Sequence, residues 1–395
     1  MIDRVHFENF KSLKDVTIDL GRLTVLVGPN GCGKSSVLQG IHLLSQTGLA
    51  RKATERKKAQ GWHRFSAIFG GARDPRRLTS PDRPTSLRFA MRDIGGDELS
   101  LAIVVPAISD EDPTGERFEF QVAVAGPEGA LSSFIPPKKG ENASLVLDHP
   151  RVRQFVSVVY LHLNATEMTS TSIPEDEKPR MRFDGSGLAS TLAWMKGAAE
   201  EDLAEITRDL GRIVPGVRRI RTLRESVLQR SMEKLSVDNQ PVWRPIEKAV
   251  IGDRFEIEFD DGSAIPADLL SEGTVLALGL ITKLREPKRP RLVLLDDIDR
   301  GLHIEAQAKL VQVLRDLLKL DPDLQILCTT HSPYLLDLFE PGEVRVLALD
   351  DKRHAHALAL SAHPEFSKWR FGTQTGELWA ALGDAWVAGA QEPNQ

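Results

Sequence analysis

A single eight-residue segment constrains the fold of this chain more than any other part of its 395 residues. Residues 28–35 read GPNGCGKS and satisfy the pattern G-x-x-x-x-G-K-[ST] at each fixed position. The continuous apolar run Leu23–Val27 precedes the segment, as in a buried parallel strand, and helical spacing follows over residues 35–44. In that context the glycines let backbone N–H groups surround phosphate oxygens at the positive end of a helix dipole. The segment therefore predicts a phosphate-binding loop in an α/β protein.

The residues of this loop have separate expected roles. Lys34 is expected to reach the β- and γ-phosphates of a nucleotide, and Ser35 to ligate Mg²⁺. The same pattern could be only a glycine-rich turn that opens a helix, but the flanking strand and helix favour phosphate binding. Further contacts with the nucleotide are predicted at Asn30, Gly31, Cys32, Gly33 and Ser36.

A second apolar run, at residues 292–295, ends in two carboxylates, Asp296 and Asp297. Ligands of open α/β sheets lie at the carboxyl ends of the strands. Asp296 is therefore expected to hold Mg²⁺, directly or through water, and Asp297 to polarise an attacking water. A strand that ends in two aspartates is by itself often a solvated turn, and the presence of the phosphate loop favours the catalytic interpretation.

Two weaker motifs depend on their order in the chain. Residues 271–273 (Ser-Glu-Gly) open an apolar helix 25 residues before Asp296, and alone they would be an ordinary N-capped helix start. His331 follows another buried strand, 34 residues after Asp297, and alone it would more often be structural. Its place in the order favours a γ-phosphate sensor.

Strands that alternate with helices around these apolar runs predict an α/β fold with a parallel sheet at its core. Antiparallel segments at 2–20 and 86–126 predict a mixed layer beside that core. The predicted domains are a discontinuous head at 1–165 and 250–350, an inserted and mostly helical lobe at 166–249, and a C-terminal segment at 351–395 that packs on the head or on a partner.

Composition narrows the classes of protein. Apolar residues make up 41% and charged residues 27%, which excludes a disordered, collagenous or coiled-coil chain. The net charge of −5 excludes a globally basic nucleic-acid coat protein, and two cysteines cannot form a disulfide framework. No segment reaches the ~18 uncharged apolar residues of a membrane span, and the early charges do not fit a secretory signal. We therefore expect a soluble, cytoplasmic protein without a membrane partner.

Four motifs, taken in their order along the chain, resemble the head of an ABC-type ATPase. They are the phosphate loop, the short Ser-x-Gly signature, the acidic strand end and the strand-end histidine. Four further segments resemble the RecF/SMC/OLD-like branch of these ATPases: residues 2–13 (IDRVHFENFKSL), 184–189 (DGSGLA), 301–303 (GLH) and 330–333 (THSP). Within that branch the chain resembles the compact AAA family ATPases of prokaryotic anti-phage defence systems. The resemblance covers residues 1–47 and 184–340 well and the middle of the chain poorly.

This resemblance implies an ABC-type P-loop NTPase head that forms a homodimer around two ATP molecules. Each ATP would contact residues 28–36 of one copy and the signature of the other. ATP binding would close the dimer and hydrolysis would release it, which makes a two-state switch. The residues implied are Lys34, Asp297 and His331 for catalysis, Ser35 and Asp296 for Mg²⁺, and Ser271, Glu272 and Gly273 for the signature.

Two positions depart from the family's pattern. The family usually has Glu where this chain has Asp297, and Asp is shorter by one methylene, ~1.5 Å of reach. Because a misplacement of about 1 Å can cost ~10²-fold in rate, we expect slow hydrolysis or a shifted backbone. Ile304 stands where the family usually has Pro, and the sequence assigns no Q-loop glutamine.

Basic segments suggest a second kind of partner. Residues 48–83 carry ten Lys or Arg and three acids, and Trp62 and Phe65 could stack on bases. A solvated face or a protein-docking surface fits this +7 segment equally well. The candidates for contact with nucleic acid or a partner are Arg73, Arg76, Arg77, Arg219 and Arg221, of which the last two could instead pair with nearby acids.

Three functions remain open at this stage. The first is a defence ATPase that acts on a separate effector, with assembly above the dimer undetermined. The second is a RecF-like ATPase of DNA repair or replication, and the third is an ATP-locked scaffold with little turnover. Sustained heptads are absent between residues 36 and 270, and no clustered acidic motif follows His331, so neither an SMC coiled coil nor an OLD nuclease domain is expected in this chain.

Overall fold

The computed structural model describes residues 1–42, 85–92, 98–105, 119–126, 129–135, 157–174, 176–237, 240–287, 289–369 and 372–389. The described chain forms two compact units. The first comprises Met1–Tyr160, Pro290–Asp299 and Leu314–Gln395, and the second comprises Leu161–Arg289 and Arg300–Val313. Residues 250–289 and 300–313, which the sequence analysis placed in the head, thus belong to the second unit.

The described strands are numbered in chain order: β1 (Arg4–Phe10), β2 (Leu13–Asp19), β3 (Leu23–Val27), β4 (Thr85–Arg92), β5 (Glu98–Val105), β6 (Glu119–Gly126), β7 (Gly129–Ile135), β8 (Val158–Leu161), β9 (Val217–Val237), β10 (Gln240–Phe259), β11 (Ala264–Pro266), β12 (Leu292–Leu295), β13 (Gln325–Thr329), β14 (Val344–Leu349) and β15 (Ala355–Ala359). The described helices are α1 (34–42), α2 (Ala165–Thr169), α3 (Leu188–Ala198), α4 (Glu200–Ile213), α5 (Glu272–Arg285), α6 (Ile304–Leu320), α7 (Pro333–Leu336), α8 (Phe366–Trp369), α9 (Thr375–Leu382) and α10 (Ala385–Gly389). None of them is long and apolar enough to cross a membrane.

A six-stranded sheet in the order β15-β14-β3-β13-β12-β8 positions the candidate site. Strands β14, β3, β13 and β12 run parallel to their neighbours in that order, and β15 is antiparallel to β14. Strands β3, β12 and β13 are buried along their whole length, which explains their largely apolar sequences. Because they are parallel, the residues that follow them reach the same edge of the sheet.

A second sheet, in the order β2-β1-β4-β5-β6-β7, is antiparallel throughout. It forms the antiparallel layer that the sequence predicts. Phe7 and Phe10 of β1 are buried, with ring centroids 6.1 Å apart. A Cβ atom at Gly40 would lie 2.5 Å from the Phe7 ring, so α1 can pack on β1 only through a residue without a side chain. This contact fixes the helix that begins at the phosphate loop.

In the second unit, helices α3 and α4 pack beside a long antiparallel hairpin of β9 and β10, and α5 packs on α4. The guanidinium of Arg285 on α5 donates to the carboxylate of Asp209 on α4 at 2.6 and 3.0 Å, and both side chains are buried. This ion pair joins the two helices.

The prediction of a mostly helical lobe at 166–249 is wrong in its second half, where the hairpin lies. Ile220 and Ile257 are buried near the open end of the hairpin, whereas Leu228 and Ile251 farther along are exposed. Gln229 and Lys248, which pair on the opposite face of the same part, are also exposed. Because solvent reaches both faces there, apolar and polar residues do not alternate, and the sequence gives no signal of period two.

The described part of the predicted C-terminal segment belongs to the first unit. The Thr375 hydroxyl of α9 donates to the carbonyl of Phe339 at 2.7 Å, and the Gly376 amide donates to Asp337 at 2.7 Å. A Cβ atom at Gly376 would lie 1.9 Å from the Pro333 carbonyl oxygen. Helix α9 therefore packs closely on α7, directly after the strand-end histidine.

Candidate nucleotide site

The glycines of the loop at 28–35 meet a conformational requirement. Gly28, Gly31 and Gly33 have φ angles of 141°, 80° and 110°, which other residues rarely adopt. A Cβ atom at Gly28 would also lie 2.1 Å from the carbonyl oxygen of Leu347 on β14. The loop can therefore follow this path only with glycine at position 28.

The predicted phosphate-binding lysine is held against the loop. Lys34 is buried, and its Nζ donates to the carbonyl oxygens of Gly28 at 2.8 Å and Pro29 at 3.0 Å. Cys32 is also buried, and this burial raises the pKa of its thiol. Of the other predicted contacts in the loop, Asn30 and Gly31 are exposed, Gly33 is buried, and Ser35 and Ser36 are half-buried.

The two predicted metal ligands are adjacent, although they lie far apart in the sequence. The Ser35 hydroxyl donates to Oδ1 of Asp296 at 3.1 Å. Two further hydroxyls donate to the same carboxylate: Thr329 to Oδ1 at 2.7 Å, and Tyr160 to Oδ2 at 3.1 Å. A carboxylate beside a hydroxyl is the oxygen donor set that Mg²⁺ prefers, so Ser35 and Asp296 fit that ion.

Asp297 has an unusual backbone at the end of β12. Its φ angle is 50°, in the left-handed region that aspartate tolerates better than most residues. Its amide donates to the Thr329 hydroxyl at 2.8 Å. Partial burial, followed by repulsion from Asp296, raises the pKa of its half-exposed carboxyl group.

The predicted sensor histidine lies beside Asp297. His331 Nε2 is 3.8 Å from Oδ1 of Asp297, and attraction between the two groups opposes the rise in the pKa of that carboxyl group. The Thr330 hydroxyl donates to Asp299 at 2.6 Å and accepts from the Ser332 amide at 3.0 Å. The first bond joins the loop after β13 to the loop after β12, and the second closes the backbone around His331.

The signature lies in the second unit and begins α5. Ser271 is the exposed N-cap residue, and its side chain accepts from the Thr274 amide at 3.3 Å. A Cβ atom at Gly273 would lie 2.3 Å from the carbonyl oxygen of Gly301. Glu272 pairs with Arg300 at 2.9 Å. The signature and the Gly-Leu-His segment at 301–303 therefore form one surface.

The structure supports ion pairing for one of the two candidate arginines that it describes. Arg221 Nη1 is 3.1 Å from Glu256 and 4.0 Å from Glu258 across the hairpin. Arg219 is exposed and lies opposite Glu258 in the strand register. Arg73, Arg76 and Arg77, together with Trp62 and Phe65, lie outside the described residues.

Tyr160 and Thr329 are site residues that the sequence analysis missed. Burial, followed by the negative charge of Asp296, raises the pKa of Tyr160, so its hydroxyl stays a hydrogen-bond donor. The signal for Thr329 was its position as the last residue of a buried strand, beside the acidic strand end. For Tyr160 the sequence offered only a hydroxyl in an apolar strand. That this strand lies next to β12 cannot be predicted, because strand order cannot be read from the sequence.

Comparisons with known proteins agree with this geometry. The family model described as "AAA domain, putative AbiEii toxin, Type IV TA system" matches residues 23–337. The chain is 46% identical over 44 residues to an OLD nuclease of Thermus scotoductus, covering 11% of this chain and 8% of that protein. It is 35% identical over 60 residues to the Septu protein PtuA of Bacillus thuringiensis, covering 15% and 14%. The chain thus matches only a small part of the length of these curated relatives.

A solved structure of an SmcHead bound to the C-winged helix domain of ScpA is similar over a much larger part of the chain. The TM-score is 0.55 at 16% identity, covering 93% of this chain and 99% of that chain. At this identity the likeness concerns the fold alone.

Proposed function

The chain belongs to the AAA-domain family whose model matches it, and we propose that it is a Mg²⁺-dependent ATPase that works as a dimeric switch. The expected relationship to ABC-type ATPases of the RecF/SMC/OLD-like branch is confirmed by this family and these relatives. The observation that carries the proposal is the contact between Ser35 and Asp296, which joins the phosphate loop to the acidic strand end.

The residues of the site have complementary tasks in this reaction. Ser35 and Asp296 would hold Mg²⁺, which when bound neutralises charge on the β- and γ-phosphates. Lys34 exchanges its two carbonyl acceptors for phosphate oxygens. Asp297 accepts a hydrogen bond from the attacking water and orients it, and His331 beside it donates to the γ-phosphate.

Dimerisation would complete the site through the signature. Ser271 is exposed at the N-terminus of a 14-residue helix, where the positive end of the helix dipole favours an anion. In the proposed sandwich, Ser271 and Gly273 of one copy contact the γ-phosphate held by the other copy. ATP then joins the copies, and loss of the γ-phosphate separates them.

The proposed biological role is that of an ATPase in a prokaryotic anti-phage defence system, acting on an effector encoded separately. The resemblance to compact defence ATPases and the family's description support this role. The scaffold alternative is supported by Asp297, whose shorter side chain would slow hydrolysis. Arg221 was a candidate contact with nucleic acid, and its ion pair with Glu256 weakens the case for a RecF-like DNA ATPase.

The dimer can be tested with the Asp297→Asn variant, which should bind ATP without hydrolysing it. Light scattering after size-exclusion chromatography should give a dimer with Mg²⁺ and ATP and a monomer with ADP. Addition of Ser271→Arg should abolish the dimer and leave ATP affinity unchanged, whereas Ser226→Arg, at an exposed position of the hairpin, should have no effect. A Ser271→Arg protein that dimerises as well as its parent would contradict the sandwich.

A further inference from the structure

The Asp296 carboxylate is held by hydroxyls at both of its oxygens. Ser35 and Thr329 donate to Oδ1, and Tyr160 donates to Oδ2. A carboxylate that accepts hydrogen bonds at both oxygens cannot rotate without losing one of them. The orientation of the Asp296 carboxylate is therefore set in part by two residues outside the phosphate loop, Thr329 and Tyr160.

Tyr160 is suited to fix this direction. It lies on β8, which is next to β12 in the sheet order, and Asp296 directly follows β12. The ring of Tyr160 is packed with that of His42 on α1, at a centroid distance of 5.6 Å. Only two side-chain torsions, χ1 and χ2, set the position of a tyrosine hydroxyl oxygen, so packing of the ring determines where the hydroxyl lies.

The other two hydroxyls have further tasks. Ser35 is itself an expected metal ligand, and its oxygen must turn toward the ion when the site is filled. Thr329 also accepts a hydrogen bond from the Asp297 amide, so its position depends on the loop after β12. The Tyr160 hydroxyl, which also has a hydrogen bond with Gln39, is neither an expected metal ligand nor a partner of the Asp297 amide, so it can hold Asp296 in the same orientation with and without the ion.

We propose that Tyr160 is a positioning residue for the divalent cation, acting through the Asp296 carboxylate. This inference rests on the proposed function, since it requires a nucleotide-bound metal at Ser35 and Asp296. Partners that orient a metal-binding carboxylate typically change metal affinity by about 10- to 100-fold when they are removed. Loss of the Tyr160 hydroxyl should therefore weaken metal binding by that factor and leave nucleotide binding without metal unchanged.

The chain offers a matched pair of variants, because its two tyrosines are Tyr160 and Tyr334. Tyr160→Phe keeps the ring and removes only the hydroxyl. Tyr334→Phe makes the same chemical change at a side chain that is 65% exposed. Binding of Mn²⁺ in the presence of a non-hydrolysable ATP analogue can be titrated by electron paramagnetic resonance. Nucleotide affinity in EDTA and the melting temperature are measured in parallel.

We expect Tyr160→Phe to raise the Mn²⁺ dissociation constant by about 10- to 100-fold, with Tyr334→Phe equal to wild type. Equal Mn²⁺ affinity in all three proteins would overturn the role of Tyr160 and leave the proposed ATPase intact. A loss of nucleotide affinity in EDTA by Tyr160→Phe would also overturn it, because the residue would then support the loop. A wild-type protein that binds nucleotide without recruiting Mn²⁺ would overturn the proposed function together with this inference.

Discussion

Replacement of Thr329 by valine removes two hydrogen bonds and keeps the shape of the side chain. The hydroxyl is fully buried, donates to Asp296 at 2.7 Å and accepts from the Asp297 amide at 2.8 Å. A hydrogen bond to a charged group contributes about 1.5–3 kcal/mol, and an unsatisfied buried amide costs about 1–3 kcal/mol. Because the region of Asp297 is only partly buried, we expect the free energy of unfolding to fall by about 2–4 kcal/mol.

The Thr329 hydroxyl also links the expected metal ligand to the expected catalytic carboxylate. Valine should therefore lower ATP turnover at saturating Mg²⁺, and Thr329→Ser should restore it. Thr330→Val is the comparator for stability, since Thr330 is equally buried and also makes two hydrogen bonds, to Asp299 and Ser332. Urea denaturation gives the free energies of unfolding, and phosphate release gives turnover. A Thr329→Val protein with wild-type stability and turnover would refute this reasoning.

Three further variants test other parts of the structure. Gly28→Ala should abolish ATP binding in calorimetry, because its Cβ would lie 2.1 Å from the Leu347 carbonyl oxygen; retained affinity would contradict the loop geometry. Asp209→Asn should lower the free energy of unfolding by up to about 3 kcal/mol in thermal denaturation, since the buried guanidinium of Arg285 loses its closer carboxylate and keeps the ion pair with Glu205 at 3.4 Å. Asp297→Glu should raise the rate of phosphate release by restoring reach, and an unchanged rate would count against the argument from side-chain length.

The sequence predicted the parts of the site that depend on local pattern. A glycine-rich turn between a buried strand and a helix has few alternative structures, so the loop of Lys34 could be predicted in detail. Apolar runs before Asp296 and His331 indicated parallel strands, and the ends of parallel strands meet at one edge.

The parts that the sequence did not predict depend on strand order and on solvation. Tyr160 reaches Asp296 because β8 lies next to β12, and residues 136 positions apart carry no pattern that reveals such a neighbour. The hairpin that begins at Val217 was missed because a part of it, around Leu228 and Lys248, is solvated on both faces. The left-handed backbone of Asp297 depends on a hydrogen bond to Thr329 from another strand.

The central claim is that Asp297 activates water for ATP hydrolysis at this site. Steady-state phosphate release with Mg²⁺ and ATP, measured for wild type beside Asp297→Asn, tests it most directly. We expect wild type to turn over ATP and the variant to bind ATP with similar affinity and release almost no phosphate. Equal turnover by the two proteins would contradict the role of Asp297, and tight ATP binding without turnover by either would favour the locked scaffold over the switch.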